Sequence, residues 1–354
     1  MKRSILFAAL VALLVATSCG GSTEQVANQK KEAPERDGWH YGKIAWCFPK
    51  TPPLYGDVES VEITEYTLKE SFGEVITDKI DEKYIYKFNQ QGDVFERAWW
   101  YSGDGSLYWK YLYKYDSQGN MIEEAKYNSD GSLYSKELYK YDSQENQIEW
   151  ASYRSNGSLG IKILYKYDSR GNQIERADYN SDGSLAYKYL YKYDSQGNEI
   201  EEADYNSDGS PGSKYLYKYD SQGNKIEFAR FESDGSLGIK ILYKYDSQGN
   251  KIEEAWYNSD GSLDWKYLYK YDSQGNKIEE AKYKSDGSLD YKYLYKYDSL
   301  GNQIERASYR SNGSLGIKIL YKYDSQGNLI EQITYKGDVM TPIEKTEFKI
   351  TYRK

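Results

Sequence analysis

Histidine occurs once and cysteine twice in the 354 residues, and no apolar run is long enough to span a bilayer. A lone His40 beside Trp39 and Tyr41 removes most histidine-based catalysis and metal binding, and two cysteines cannot build a cysteine metal cluster. Positive charge is not in excess either. Without the basic pair Lys2 and Arg3 the chain holds 45 basic against 55 acidic residues, a net charge of about −10 that weighs against a nucleic-acid partner. What the chain has in quantity is tyrosine, 42 residues of it.

Lys2 and Arg3, the apolar run Ile5 to Ala16 and the small residues Ala16-Thr17-Ser18 before Cys19 form a targeting signal. The sequence ending in Cys19 resembles the bacterial lipobox. That resemblance implies a signal peptide over 1–18 and a diacylglycerol-bearing Cys19 as first mature residue, holding the protein on a membrane without a spanning helix. Cys47 then has no cysteine to pair with. Residues 19–37 are polar, charged and without apolar periodicity, and suit a flexible tether. Residues 38–82, with Trp39, Trp46, the Pro52-Pro53 break and an alternating stretch from Val58 to Tyr66, are expected to form an N-terminal cap on the remainder of the chain. Gly20 after the cysteine resembles outer-membrane rather than inner-membrane sorting, which implies an envelope location.

From 83 to 336 the chain repeats itself. An Asp recurs with a period of 26 at Asp116, Asp142, Asp168, Asp194, Asp220, Asp246, Asp272, Asp298 and Asp324. Each unit, such as 263–288, contains two β-favouring runs and two turns, so each is a hairpin plus a turn to the next. In Asp272-Ser273-Gln274-Gly275-Asn276 the Asp can bond its own backbone ahead, and Gly275 supplies the positive φ of a three-residue loop with a bulge. Ser285-Asp286-Gly287 repeats the logic at the other end, and Asn156 and Asn312 replace the Asp in two copies. Glu145 stands where a Gly is required, at a cost of roughly 1 kcal/mol if the turn keeps its shape. Pro211 is placed to open a strand. Residues 337–354 form a polar C-terminal capping strand.

Opposing Asp272 with Asn276 fixes a register in which Tyr267 faces Ala281, Trp265 faces Tyr283 and Tyr269 faces Glu279. One face then carries Leu263, Trp265, Tyr267, Tyr269, Tyr271, Ala281 and Tyr283, the other Lys266, Leu268, Lys270, Ile278, Glu280 and Lys282. The sites of Glu280 and Lys282 vary most between copies, with Trp150, Arg176, Phe228 or Arg306 at the first and Asp178, Arg230 or Trp256 at the second, so the Tyr face is expected to pack. The fold class is all-β: an antiparallel hairpin array coiled into a spiral sheet or shell, since a twisted sheet of about twenty strands rarely stays open. The alternative is an extended single-layer sheet. A second period of 78 residues marks either duplication of a three-hairpin block or a coil with three hairpins per turn.

The recurring Tyr-Lys-Tyr-Asp-x-x-Gly-Asn resembles the YD or RHS repeat family, which implies strand-turn-strand units winding into a β-shell. Large members enclose a C-terminal toxin. This chain ends in a polar strand without a cargo domain, so that function is not carried over. A weaker likeness is to aromatic cell-wall-binding repeats, whose Gly-Trp opening is missing here.

Glu279 and its equivalents, Glu96 to Glu331, are expected on the Tyr face, accepting hydrogen bonds from tyrosine hydroxyls. The NSDGS loops lack the ligands of a calcium site, and ten equivalent glutamates leave no unique pair for hydrolysis. The chain is therefore expected to be no enzyme, to need no cofactor or metal, and to act as a lipid-anchored envelope or surface scaffold that binds or supports. Its partners would be the membrane through Cys19 and glycans or envelope proteins. The alternative is a carbohydrate-binding protein using rows of Tyr267, Tyr269, Glu279 and Tyr283, with the equivalent row at Ile241 left unassigned.

Overall fold

The computed structural model describes residues 54–71, 74–101 and 105–354; Cys19, His40 and Cys47 lie outside them. The described residues form 22 strands and no helix, from β1 (Val58–Ser71), β2 (Glu74–Phe88) and β3 (Val94–Tyr101) to β21 (Leu329–Lys336) and β22 (Thr341–Tyr352). Every strand runs antiparallel to the next, and β22 returns to β1 with Val61 opposite Ile350 and Thr64 opposite Glu347. The sheet is thus a closed up-and-down barrel, which corrects the expectation of a spiral or an open single layer. Closure removes the two exposed edges that an array of this length would otherwise present. Because hairpins never stack on one another, the 78-residue period does not reflect a coil with three hairpins per turn.

The repeat unit shows how sequence sets the wall. In the turn after β16 (Leu263–Tyr271), Asp272 accepts hydrogen bonds through Oδ1 from the backbone N–H of Gln274 and of Asn276, and through Oδ2 from Asn276 Nδ2, at 2.9–3.0 Å. Gly275, at φ +83, donates its N–H to Asp272 O. The expected bulge comes directly after. Tyr271 pairs with Lys277 but Lys270 pairs with Glu279, so Ile278 is the extra residue at the start of β17 (Lys277–Lys284). This single insertion slides the register by one and turns every side chain of β17 to the other face. Tyr267 therefore opposes Lys282, Tyr269 opposes Glu280 and Leu268 opposes Ala281, in place of the pairings expected from the sequence. A second bulge lies beside each SDGS turn, where Trp256 opposes Trp265 but Tyr257 opposes Leu263. Glu145 takes φ +64 and keeps the turn, with Asp142 N–H donating to Asn146 O at 2.9 Å. Pro211 opens a strand opposite Tyr205.

Both ends of the described chain meet at the DSQGN rim and lock the seam. Asn328, fully buried, accepts the N–H of Tyr55 and donates to Tyr55 O at 3.0 Å and to the Tyr352 hydroxyl at 2.8 Å. Tyr352 donates in turn to Asp324, and Arg353 binds Asp57 and the carbonyls of Phe88 and Asn89. Beside this clasp lies the main core, in which Val61 and Ile63 of β1 pack with Tyr84, Tyr86, Phe88, Leu329 and Phe348. At the opposite rim the β1–β2 hairpin overhangs the shorter repeats and exposes Val75, Ile76 and Ile80.

Candidate functional site

The two faces of the wall differ in kind. One carries the Lys266, Leu268, Lys270, Glu279, Ala281 and Tyr283 rows. Each glutamate of the Glu279 row lies beside lysines of the neighbouring strands: Glu123 binds Lys114 at 2.9 Å and Lys136 at 2.7 Å, Glu149 binds Lys140 and Lys162, and Glu175 binds Lys166 and Lys188. Burial works against the ionised Glu123, but the hydrogen bonds from Lys136 and Lys114 outweigh it and hold the carboxyl below its ordinary value. Lys114 and its equivalents point into solvent, their side chains 62–68% exposed. The alanines between the ion pairs are buried flat against the sheet.

The other face carries Trp265, Tyr267, Tyr269, Tyr271, Glu280 and Lys282, and it is the crowded one: burial raises the phenols of Tyr113, Tyr139, Tyr191 and Tyr217, and lifts Tyr295 and Tyr323 to about 12. The seam core, with Tyr84 and Tyr86, lies on this same face. In a closed barrel the concave side draws large side chains of neighbouring strands together, so the Tyr face, which carries the stacked rings and the seam core, is the inner wall, and the Lys–Glu face, whose long lysines reach solvent, is the outer one.

Glu279 and Tyr283 are therefore on the outer wall, away from Tyr267 and Tyr269, and the expected bonds between Tyr hydroxyls and the Glu279 row do not form. The hydroxyl of Tyr271 donates instead to Lys251 O on the adjacent strand β15 (Lys251–Tyr257) at 2.8 Å. The same bond recurs from Tyr115 to Tyr323, always to the carbonyl twenty or twenty-one residues back. These tyrosines brace the wall near the DSQGN rim. Ile241 sits on the inner wall, buried.

Toward the SDGS rim the inner wall is varied and accessible. Ile161 and Tyr187 are each 49% exposed there. The 22 strands, spaced about 4.8 Å apart, give the wall a perimeter of about 106 Å. Aromatic and charged residues are laid side by side across adjacent strands. Trp256 stacks on Trp265 at 5.2 Å, Lys282 Nζ lies 4.7 Å from the Trp265 ring, and the hydroxyls of Tyr267 and Tyr291 are 3.2 Å apart. Arg176 forms a paired ion bridge to Asp178 at 2.8 Å and covers Tyr189. Burial, with Glu202 nearby, raises the Glu199 carboxyl to about 7. The varied Glu280 and Lys282 rows thus belong to the Tyr face; the bulge beside Gly275 was the signal that would have placed them.

The chain matches no protein family and no curated protein. Among solved structures it is similar to the Photorhabdus luminescens Tc holotoxin pore, at 12% identity and a TM-score of 0.34, covering 75% of this chain and 19% of that one. A TcdB2–TccC3 structure matches at 12% identity and a TM-score of 0.36, over 83% of this chain and 19% of that one. The chain thus spans about a fifth of the length of these toxin structures. A porin-like protein from Bacteroides uniformis matches at 11% identity and a TM-score of 0.31, over 85% of this chain and 99% of that one. The chemistry of the wall is read from this chain's own residues.

Among the described residues no helix is long and apolar enough to cross a membrane, and no group of three His, Cys, Asp or Glu is placed to hold a metal ion.

Proposed function

We propose that this protein is an envelope scaffold whose inner wall binds glycans, a small relative of the YD-repeat shells with no catalytic role. The observation that carries this reading is where the copies differ. The outer rows Lys266, Leu268, Lys270, Glu279 and Ala281 barely change from hairpin to hairpin, whereas the inner rows of Trp265, Tyr267, Glu280 and Lys282 run through Trp, Tyr, Ile, Arg, Lys, Glu, Asp and Ser. A wall that only had to stand would need no such variety on its accessible inner side. Flat aromatic faces with charged and hydroxyl groups between them suit the apolar faces and hydroxyl rims of sugar rings.

The outer wall argues against the role that the name of the porin-like neighbour invites. A lipid-facing barrel presents an apolar band about 25 Å tall, and lysines at its midplane cost roughly 2–4 kcal/mol each. Here rings of lysine and glutamate run round the outside at mid-strand. Attachment to a membrane would come through Cys19 instead. The segment from Cys19 joins the barrel at the DSQGN rim, where Tyr55 meets Asn328, so the SDGS mouth with its aromatic rows would face away from the bilayer.

Retention of the chain on a panel of immobilised bacterial and host polysaccharides tests the reading. Binding that is weakened by Trp265→Ala with Trp256→Ala, and unaffected by Glu279→Gln on the outer wall, is the expected result. Equal loss from the outer substitution would remove the inner wall as the binding surface.

A further inference from the structure

We propose that the inner wall carries two equivalent stations for a glycan bearing carboxylates, one on each side of the barrel; this rests on the glycan-binding reading above. The first station spans β3, β4 (Leu107–Tyr115), β5 (Met121–Asn128) and β6 (Leu133–Tyr141). There Trp99 meets Tyr108 edge-on at 4.7 Å, Trp109 meets Tyr134 at 5.0 Å, and Lys126 Nζ lies 3.8 Å from the Trp109 ring and 4.9 Å from the Tyr134 ring. The second spans β15, β16, β17 and β18 (Leu289–Tyr297), where Trp256, Trp265 and Lys282 repeat the arrangement, Asp290 takes the position of Tyr134, and Tyr291 lies 5.8 Å from Lys282.

Trp109, Tyr111 and Lys126 are the positional equivalents of Trp265, Tyr267 and Lys282, six hairpins apart. With β4 and β16 twelve strands apart in a ring of 22, the two stations lie on opposing sides of the lumen. Between them the same positions read Tyr187 and Asp204, and Glu199 stands where the stations have Met121 and Lys277, whereas Glu202 matches Glu124 and Glu280 of the stations. Duplication alone would have left the same residues in all three places; the middle one has the opposite charge.

Charge complementarity selects the ligand. Each strip crosses four strands at about 4.8 Å spacing, a platform about 15 Å long that matches a few sugar rings in a row. Its middle holds an ammonium group, and inner-wall carboxylates flank it, Glu124 and Glu137 in the first strip and Glu254 and Glu280 in the second. Lys126 makes no ion pair among the described residues, whereas Lys282 makes one, to Asp290 at 3.7 Å. An anionic group on a stacked sugar would take the N–H donors of Lys126, and would compete with Asp290 for those of Lys282, while the indole keeps its own contact. Neutral glycans would find the stacking surface without that gain, and Asp204 between the stations would repel a polyanion.

The deciding experiment compares the chain's binding to polygalacturonate, alginate and hyaluronan with its binding to the carboxyl-reduced, neutral form of each. The expected result is at least a tenfold preference for one of the carboxylated forms, two sites per chain for a short oligomer, and a preference that falls with added salt. Lys282→Gln should remove one site and leave the other, and Lys126→Gln with Lys282→Gln should erase the preference while near-unchanged far-ultraviolet spectra report an intact wall. Equal binding of the acidic and reduced forms, or two sites persisting in the double variant, would overturn the stations and leave glycan binding standing. Retention of neither form of any polymer would overturn both.

Discussion

The outer and inner faces of one wall are built from the same hairpins, yet they obey different rules. On the outside each position has one solution, an alanine under a lattice of lysine–glutamate pairs, repeated around the barrel. On the inside two tyrosine rows are fixed, that of Tyr271, held by bonds to the carbonyls of the adjacent strand near the DSQGN rim, and that of Tyr269 beside it. The rest of the inner wall changes from copy to copy. Repetition is therefore a sign of the structural task, and departure from it marks the surface free to recognise something. The two faces also titrate in opposite senses: the outer glutamates sit below their ordinary value and inner Glu199 above it.

Overpacking gives the sharpest way to break this comparison. Replacing Ala255, Ala281 and Ala307 by Phe should cost about 1–3 kcal/mol per site, because none of the three has room beside it. Exchanging exposed inner residues for those of another copy, such as Ile161→Tyr or Tyr187→Ile, should change urea stability by about 0.5 kcal/mol or less each. Comparable losses from both sets would dissolve the distinction. The next effect is smaller and depends on pH. The fold raises the Glu199 carboxyl from 4.5 to about 7, so it favours the protonated form and loses stability as pH climbs from 4.5 to 7. Glu199→Gln, which copies Gln173 and Gln303 at the same position, should gain roughly 2 kcal/mol at pH 8 and little at pH 4. The outer glutamates carry the opposite sign. Their contribution is present above 4.5 and is lost as pH falls through their lowered values, so acid should loosen the outer lattice even as it relieves Glu199.

Much of this was legible in the sequence, and the exceptions have one cause. The 26-residue period, the hairpin character, both turns and the strain at Glu145 stem from Gly, Asp and Asn at fixed offsets, because those residues act within a few bonds of themselves. The bulge at Ile278 is equally local, but its consequence is not. By shifting one strand of each pair it moved Glu279, Ala281 and Tyr283 to the outside and brought Glu280 and Lys282 in among the tyrosines. Closure was beyond local reasoning altogether. It depends on β1 meeting β22 nearly 300 residues later and on a clasp that makes Asn328 unlike the other turn asparagines.

The smallest prediction isolates one turn. Glu145 holds φ +64 where the corresponding Gly171 and Gly197 hold +86 and +89, and both of its flanking hydrogen bonds are kept, 3.1 Å from its N–H to Asp142 O and 2.9 Å from Asp142 N–H to Asn146 O. The strain is thus carried by the backbone of one residue rather than relieved by rearranging the loop. Glu145→Gly should gain about 1 kcal/mol, less than the full left-handed penalty because glycine also frees the unfolded chain. Glu145→Asn should recover part of that gain, since Asn tolerates this region. The reverse change one hairpin on, Gly171→Glu, should cost a similar amount in a urea titration, because the two turns share their Asp, Ser and Asn and their backbone bonding. A neutral Glu145→Gly beside a costly Gly171→Glu would show that the Glu145 side chain offsets its own strain, and the repeats would then differ on the outside as well.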